Sequence, residues 1–240
     1  MNRKRILQIG IPVALTCALV VGCTVYLNTY YRAAEVGAYL EDSSSVRVTE
    51  EADGFFFDGK GEEDLIVFYP GAKVDTAAYA PLLYTLAEEG VDCYLVDMPF
   101  HMAIFGVGKA EQIIERTDYA HTYLMGHSMG GAMAASFVNG REDVDGLIFL
   151  AAYTAEDLSS SSLRVLSLYG SEDKVLNLKK VEEGRKLVPK DYQEVVIEGG
   201  NHAQFGSYGR QSGDGEASIS AEEQRAATVR EILSFVEDRD

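Results

Sequence analysis

Apolar residues along this chain fall into two alternating patterns. Short unbroken runs occur at Leu65–Tyr69, Cys93–Val96, Tyr123–Met125, Leu147–Ala152, Val165–Tyr169 and Val195–Ile197. Strands buried on both faces, as in a parallel sheet covered by helices, have this composition. Between the runs the period changes to that of a helix. Tyr79–Glu89 carries Leu82, Leu83 and Leu86 on one face and stops at Gly90, a residue suited to the position just past a helix end. Lys109–Arg116 offers Ile113 and Ile114, and Gly130–Val138 is rich in glycine and alanine, as a helix packed close to a sheet would be. The last helix is expected to begin at Ser220 with Glu223 three residues on, a capping box, and to dock through Val229, Ile232, Leu233 and Val236. Ahead of the alternation, Val46–Glu50 and Gly54–Gly59 predict a pair of short antiparallel strands. Strand and helix alternating over some 150 residues predict an α/β fold, a doubly wound and mostly parallel sheet.

The first 33 residues are different. Arg3, Lys4 and Arg5 precede a run from Ile6 to Leu27 in which only Gln8, Thr16 and Thr24 are polar. At about 1.5 Å per residue such a run spans ~33 Å, the thickness of a bilayer core. The basic cluster is expected to stay in the cytoplasm and the rest of the chain to be exported. The run is longer than a cleaved signal peptide needs, so a single-pass signal anchor is the first expectation. A lipoprotein anchored at Cys23 is the alternative, because Val20-Val21-Gly22-Cys23 resembles a lipobox. The segments are therefore 1–33 as transmembrane helix, 34–45 as tether and 46–240 as folded domain.

Charge and cysteine content narrow the function classes. The 240 residues carry a net charge of −17, and without residues 1–33 the 17 remaining basic residues face all 38 acidic ones, a net −21. Such a surface repels nucleic acid. The composition, 47% hydrophobic with five prolines, is that of a chain that folds. Cys17 and Cys23 lie in the apolar run, which leaves Cys93 as the one thiol of the folded part. One thiol makes no intrachain disulfide, and no clustered Cys/His pattern points to structural zinc.

Chemistry concentrates at the carboxyl ends of the predicted strands. Gly126-His127-Ser128-Met129-Gly130 follows the run Tyr123–Met125 and opens the small-residue helix. This strand-to-helix context lifts a serine hydroxyl above the sheet, making Ser128 the candidate nucleophile. A serine needs a base, and the base needs a carboxylate to fix its tautomer. Asp173 follows the run Val165–Tyr169, and His202 follows Val195–Ile197, so both project from the same sheet edge as Ser128. Glu172 is the alternative acid. Among the four histidines, His127 adjoins the serine but should point away from its Oγ, and His101 and His121 have no acidic loop in matching order. The Met129 and Ala72 amides are the expected oxyanion donors, with Lys73 as the alternative for the second. No metal or organic cofactor is required.

These motifs, Tyr69-Pro-Gly-Ala-Lys-Val, Gly126-His-Ser-Met-Gly-Gly, Gly170-Ser-Glu-Asp-Lys-Val and Gly200-Asn-His-Ala-Gln-Phe-Gly, resemble the α/β-hydrolase superfamily. The resemblance covers roughly residues 40–238. It is closest to small bacterial members of the dienelactone-hydrolase-like, "alpha/beta hydrolase fold-5" kind that follow an N-terminal membrane segment. Dienelactone hydrolases proper use cysteine where this chain has Ser128, so their reaction does not carry over. The resemblance implies an α/β-hydrolase fold and a serine acyl-enzyme.

About a dozen residues separate the fourth run from the fifth, where larger hydrolases insert a helical cap, so a minimal cap and an open site are expected. Phe100 and Phe105 are equally suited to a substrate pocket or to the core. The glycine-rich stretch 203–215 begins beside His202 and is expected to meet substrate through Gln204, Tyr208 or Arg210, or to be a loop with no such role. The functional expectation is a membrane-tethered extracytoplasmic serine hydrolase acting on a small-molecule carboxylic ester. An amidase or thioesterase would use the same residues. A non-catalytic binding protein of the same fold is a further alternative, as is a perhydrolase side activity.

Overall fold

The computed structural model describes residues 3–238; residues 1–2 and 239–240, which the expected segments 1–33 and 46–240 include, lie outside it. The chain forms two units, residues 1–30 and residues 31–240. In the first, α1 (Arg3–Asn28) is continuous through Pro12. Its stretch Ile11–Asn28 has a mean hydropathy of 1.8 with none of it buried, long and apolar enough to cross a membrane, a test that a signal sequence also passes. Its hydroxyls turn back on the helix: Thr24 Oγ1 donates to the Val20 carbonyl at 2.8 Å, so the polar side chain needs no other partner.

In the second unit all six apolar runs form strands. The elements are β1 (Arg47–Glu51), β2 (Gly54–Asp58), β3 (Asp64–Tyr69), α2 (Ala80–Glu88), β4 (Asp92–Val96), α3 (Lys109–Arg116), β5 (His121–His127), α4 (Met129–Val138), β6 (Gly146–Leu150), β7 (Arg164–Gly170), α5 (Leu178–Gly184), β8 (Tyr192–Ile197) and α6 (Ala221–Glu237). They build one eight-stranded sheet in the order β1-β2-β4-β3-β5-β6-β7-β8. The β1–β2 hairpin and its contact with β4 are antiparallel, and β4 through β8 pair in parallel. Both faces are covered. Leu83 and Leu86 of α2 pack with Ile232 and Phe235 of α6 against one face; Ile113 of α3 and Ala134, Ala135 and Val138 of α4 pack against the other. Cys93 is fully buried on the face covered by α2 and α6.

The helix signals held at their chemistry. Ser220 Oγ accepts the Glu223 amide at 3.1 Å while the Glu223 carboxylate accepts the Ser220 amide at 2.8 Å, which completes the capping box of α6. One boundary and one element differ from expectation. Strand β6 stops at Leu150 because Ala151 turns left-handed at φ 47°. Helix α5, with Asn177 as its cap, was not foreseen: it is seven residues long and buries only Val181 and Gly184, so it has no apolar stripe to betray it.

Residues 34–45 do not behave as the expected tether. They carry a 3₁₀ turn, Gly37–Leu40, and the Tyr39 ring packs edge-on to Tyr84 at 5.6 Å. The folded unit begins earlier still, at Tyr31. The Tyr31 amide donates to the Lys73 carbonyl at 2.7 Å, the Asp75 amide donates to the Tyr31 carbonyl at 2.8 Å, and the Ala34 amide donates to the Ser207 carbonyl at 2.8 Å. Tyr31, Ala33, Tyr39 and Leu40 also pack on the core as partly buried side chains, too scattered to form a periodic apolar run, so hydrophobicity alone could not reveal the attachment.

At about 1 kcal/mol for each of these three hydrogen bonds, and ~2–4 °C per kcal/mol for a domain of this size, a protein beginning at residue 46 is expected to melt about 6–12 °C below one beginning at residue 31. Equal melting temperatures by circular dichroism would show that the segment contributes nothing.

Candidate active site

The strand order changes direction around β3. From β3 the chain moves outward to β4, then returns to the other side of β3 as β5. Crevices at the carboxyl ends of strands open at such points. Register places Tyr69, the last residue of β3, opposite Gly126 of β5, so the turn after β3 and the turn after β5 face each other. The second turn is sharp. Ser128 has φ 53° and ψ −120°, a conformation costly for a residue with a side chain, and its amide donates to the Leu150 carbonyl at 2.9 Å.

Close packing keeps this turn in place. A Cβ on Gly130 would lie 2.0 Å from the Tyr69 carbonyl oxygen and 2.5 Å from that of Pro70; one on Gly126 would lie 2.4 Å from the Gly130 carbonyl carbon. The first turn of α4 therefore rests on the main chain at the end of β3. The Met129 amide is the first of α4 and has no partner within the helix.

The loops after β7 and β8 meet at the same edge. His202 Nδ1 and Asp173 Oδ2 are 2.8 Å apart, and both side chains are buried. The Asp173 Oδ1 accepts the amides of Val175 and Leu176, each at 2.8 Å, so the carboxylate is held against rotation. Of the two candidate acids, Asp173 is the one on the histidine. The Glu172 amide instead donates to the Gly200 carbonyl at 2.8 Å, tying the two loops together.

Two residues that sequence reasoning passed over hold His202 from behind. Gln224 of α6 is fully buried, accepts the Asn201 amide at 2.9 Å through Oε1 and donates through Nε2 to the Asn201 carbonyl at 2.8 Å. Asp214 accepts the Ala203 amide at 2.9 Å and the Lys174 amide at 3.3 Å, bridging the segments that follow His202 and Asp173. A buried glutamine on an amphipathic helix was the one available signal.

In the turn after β3, the Lys73 amide donates to the His101 carbonyl at 2.7 Å. That removes Lys73 as the alternative donor. The Ala72 amide has no intramolecular partner among the described residues. Gly71 donates its amide to the Tyr79 hydroxyl at 3.1 Å.

His127 is buried beside His202, with its ring centroid 4.5 Å from the His202 ring and 5.8 Å from Phe205. Burial, followed by the neighbouring His202, pushes its pKa well below the usual histidine range, so it is neutral at physiological pH.

The expected substrate contacts divide. Phe100 and Phe105 are exposed, 53% and 56%, and pack edge-on at 5.8 Å with Ile104 beside them; the core alternative is ruled out. Consecutive left-handed residues, Phe100 at φ 58° and His101 at φ 54°, turn the first ring outward. Tyr208 is corrected: its ring is buried between Tyr79 and Tyr31 and its hydroxyl donates to Gln211, so no free face is left for substrate. Gln204 and Arg210 line a cavity of about 700 Å³ that none of Ser128, Asp173 and His202 lines. Between β6 and β7 no helix occurs, so no helical cap covers this edge.

A family model described as "Alpha/beta hydrolase family" matches residues 65–226. No curated protein matches the sequence. Among solved structures, the chain is similar to a predicted CIB-like hydrolase from Thermoplasma acidophilum, with 18% identity, a TM-score of 0.60, and 78% of this chain and 98% of that one covered. It is also similar to MGS-MChE2, an alpha/beta hydrolase from the metagenome of lagoon sediments of Mar Chica, Morocco, at 14% identity, TM-score 0.62, covering 81% and 99%. The carboxylesterase CesB of Bacillus subtilis aligns at 12% identity, TM-score 0.59, covering 84% and 94%.

Replacing Gly130 by alanine must push α4 off the end of β3, since only main-chain atoms stand in the way. Overpacking costs about 1–3 kcal/mol, so at ~2–4 °C per kcal/mol Gly130→Ala is expected to lower the melting temperature by about 2–12 °C. An unchanged melting curve would contradict the close approach.

Proposed function

The chain belongs to the alpha/beta hydrolase family, and from that premise we propose that it is a serine hydrolase cleaving carboxylic esters, tethered to the membrane with its folded unit outside the cytoplasm. The observation that carries this reading is the buried 2.8 Å contact of His202 with Asp173 on the sheet edge where Ser128 occupies a strained turn. Asp173 holds the His202 proton on Nδ1, which leaves Nε2 as the base. Ser128 Oγ attacks the ester carbonyl as Nε2 takes its proton. The Met129 and Ala72 amides receive the negative oxygen of the tetrahedral intermediate. When it collapses, the carbon–oxygen bond to the leaving alcohol breaks and the alcohol takes the proton from His202. Water then repeats the sequence on the acyl-Ser128 ester, releasing the acid and restoring the serine.

Three features support an ester with an accessible carbonyl. No helix covers the edge between β6 and β7. The exposed pair Phe100 and Phe105 offers apolar surface on the loop that hydrogen-bonds Lys73, beside the proposed oxyanion donors. One of the similar folds is a carboxylesterase. The tethering rests on α1: Ile11–Asn28 is of membrane-spanning length and composition, and the basic residues Arg3, Lys4 and Arg5 precede it, the charge arrangement that leaves a helix start in the cytoplasm.

The test is hydrolysis of p-nitrophenyl esters of increasing chain length by the full-length protein in detergent, beside Ser128→Ala. We expect the variant to lose at least ~10³-fold in kcat, with short and medium acyl chains preferred by the wild type. A variant as active as wild type would overturn the reading.

A further inference from the structure

Tyr79 is a fully buried residue at the end of a 3₁₀ turn (Thr76–Tyr79), and its hydroxyl joins two parts of the site that are far apart in sequence. The oxygen receives the Gly71 amide at 3.1 Å and lies 2.8 Å from His127 Nδ1. An amide only donates, so the hydroxyl proton is free for His127. Burial raises the Tyr79 pKa beyond reach of physiological pH and lowers that of His127, so both groups are neutral.

We propose that Tyr79 is a positioning residue for the oxyanion site, acting through Gly71 and His127. It rests on the serine-hydrolase reading above. The Tyr79 hydroxyl donates to His127 Nδ1, which places the imidazole proton on Nε2. That Nε2 lies near the His202 main chain without completing a hydrogen bond. The Ala72 amide is thereby flanked by two fixed neighbours. On one side Gly71 N–H is held by Tyr79; on the other Lys73 N–H is held by the His101 carbonyl at 2.7 Å. Ala72 itself is left with its amide unused. His127 immediately precedes Ser128, so the same hydroxyl also sets the spacing between the donor loop and the serine turn. There is no room for a substitute: a Cβ on Gly71 would lie 2.7 Å from His127 Nδ1 and 2.8 Å from the Tyr79 oxygen. The Tyr79 ring is fixed independently of its hydroxyl by Phe68 at 4.8 Å and Tyr208 at 6.4 Å. Removing the oxygen alone therefore leaves the packing in place.

The experiment compares wild type, Tyr79→Phe, His127→Asn and His127→Leu as full-length proteins, measuring kcat and KM on a p-nitrophenyl ester. It also measures inhibition by a trifluoromethyl ketone, whose adduct places an oxyanion between the two amides. Displacing an oxyanion donor without deleting it is expected to lower kcat of Tyr79→Phe by about 10–100-fold, somewhat less than outright loss of a donor. KM should stay within about twofold, and the ketone should weaken by the same factor as kcat/KM, as transition-state binding requires. His127→Asn, whose side-chain oxygen can take the place of Nδ1, is expected to retain kcat within about threefold, while His127→Leu falls with Tyr79→Phe. Wild-type kcat in Tyr79→Phe, or ketone affinity that does not follow kcat/KM, would overturn the proposal. If Tyr79→Phe fails to fold, equal kcat in the two His127 variants overturns it. Hydrolysis by the wild type that persists in Ser128→Ala marks the different failure, that of the hydrolase reading itself.

Discussion

The site depends on how closely the first turn of α4 approaches the end of β3. Parallel pairing of β3 with β5 brings Tyr69 opposite Gly126, but pairing alone would leave the two following turns separated by side chains. The Cβ-free surfaces of Gly126 and Gly130 remove that separation and let α4 rest on the Tyr69 and Pro70 carbonyls. Two consequences follow from one contact. The chain must reverse sharply at Ser128, which accounts for its positive φ, and the first turn of α4 is brought against the end of β3, the strand whose following turn contains Ala72. Strain at the serine is thus maintained by packing on either side of it, as strained positions require.

The other half of the edge is held by hydrogen bonds. Asp173 and His202 sit on separate loops, and their alignment comes from polar side chains that bind main chain, Gln224 on Asn201 and Asp214 on Ala203 and Lys174, and from the Glu172 main-chain amide on the Gly200 carbonyl. This places residues 203–215 in a supporting role as well as at the rim of a cavity. Deleting residues 207–214 would remove Asp214 together with the Ser207 carbonyl that receives Ala34, so such a deletion reports on support and on any substrate contact at once.

Sequence periodicity revealed the sheet because β3 to β7 are buried on both faces and the edge strand β8, though partly exposed, still carries the apolar run Val195–Ile197; the six apolar runs are the six parallel strands. The serine turn, Asp173 and His202 were legible because each follows such a run directly. What escaped lies outside any periodic apolar pattern. Tyr31 joins the domain by main-chain pairing and by an isolated ring contact outside any periodic run, α5 has no apolar stripe, and Tyr208 looks like a loop residue until its ring is seen buried against Tyr31 and Tyr79. His127 was placed with its side chain away from the serine but not within a chain of contacts running from Gly71 to His202. Choosing between Ala72 and Lys73 needed the His101 carbonyl, 28 residues away in sequence.

The central claim is that Ser128 carries the acyl group. The most direct measurement is incubation of the full-length protein with a fluorophosphonate, followed by proteolysis and mass-spectrometric location of the adduct. One phosphonyl group on the peptide containing Ser128, absent after prior inactivation by heat, is the predicted result. No adduct, or an adduct on another serine, would contradict the account.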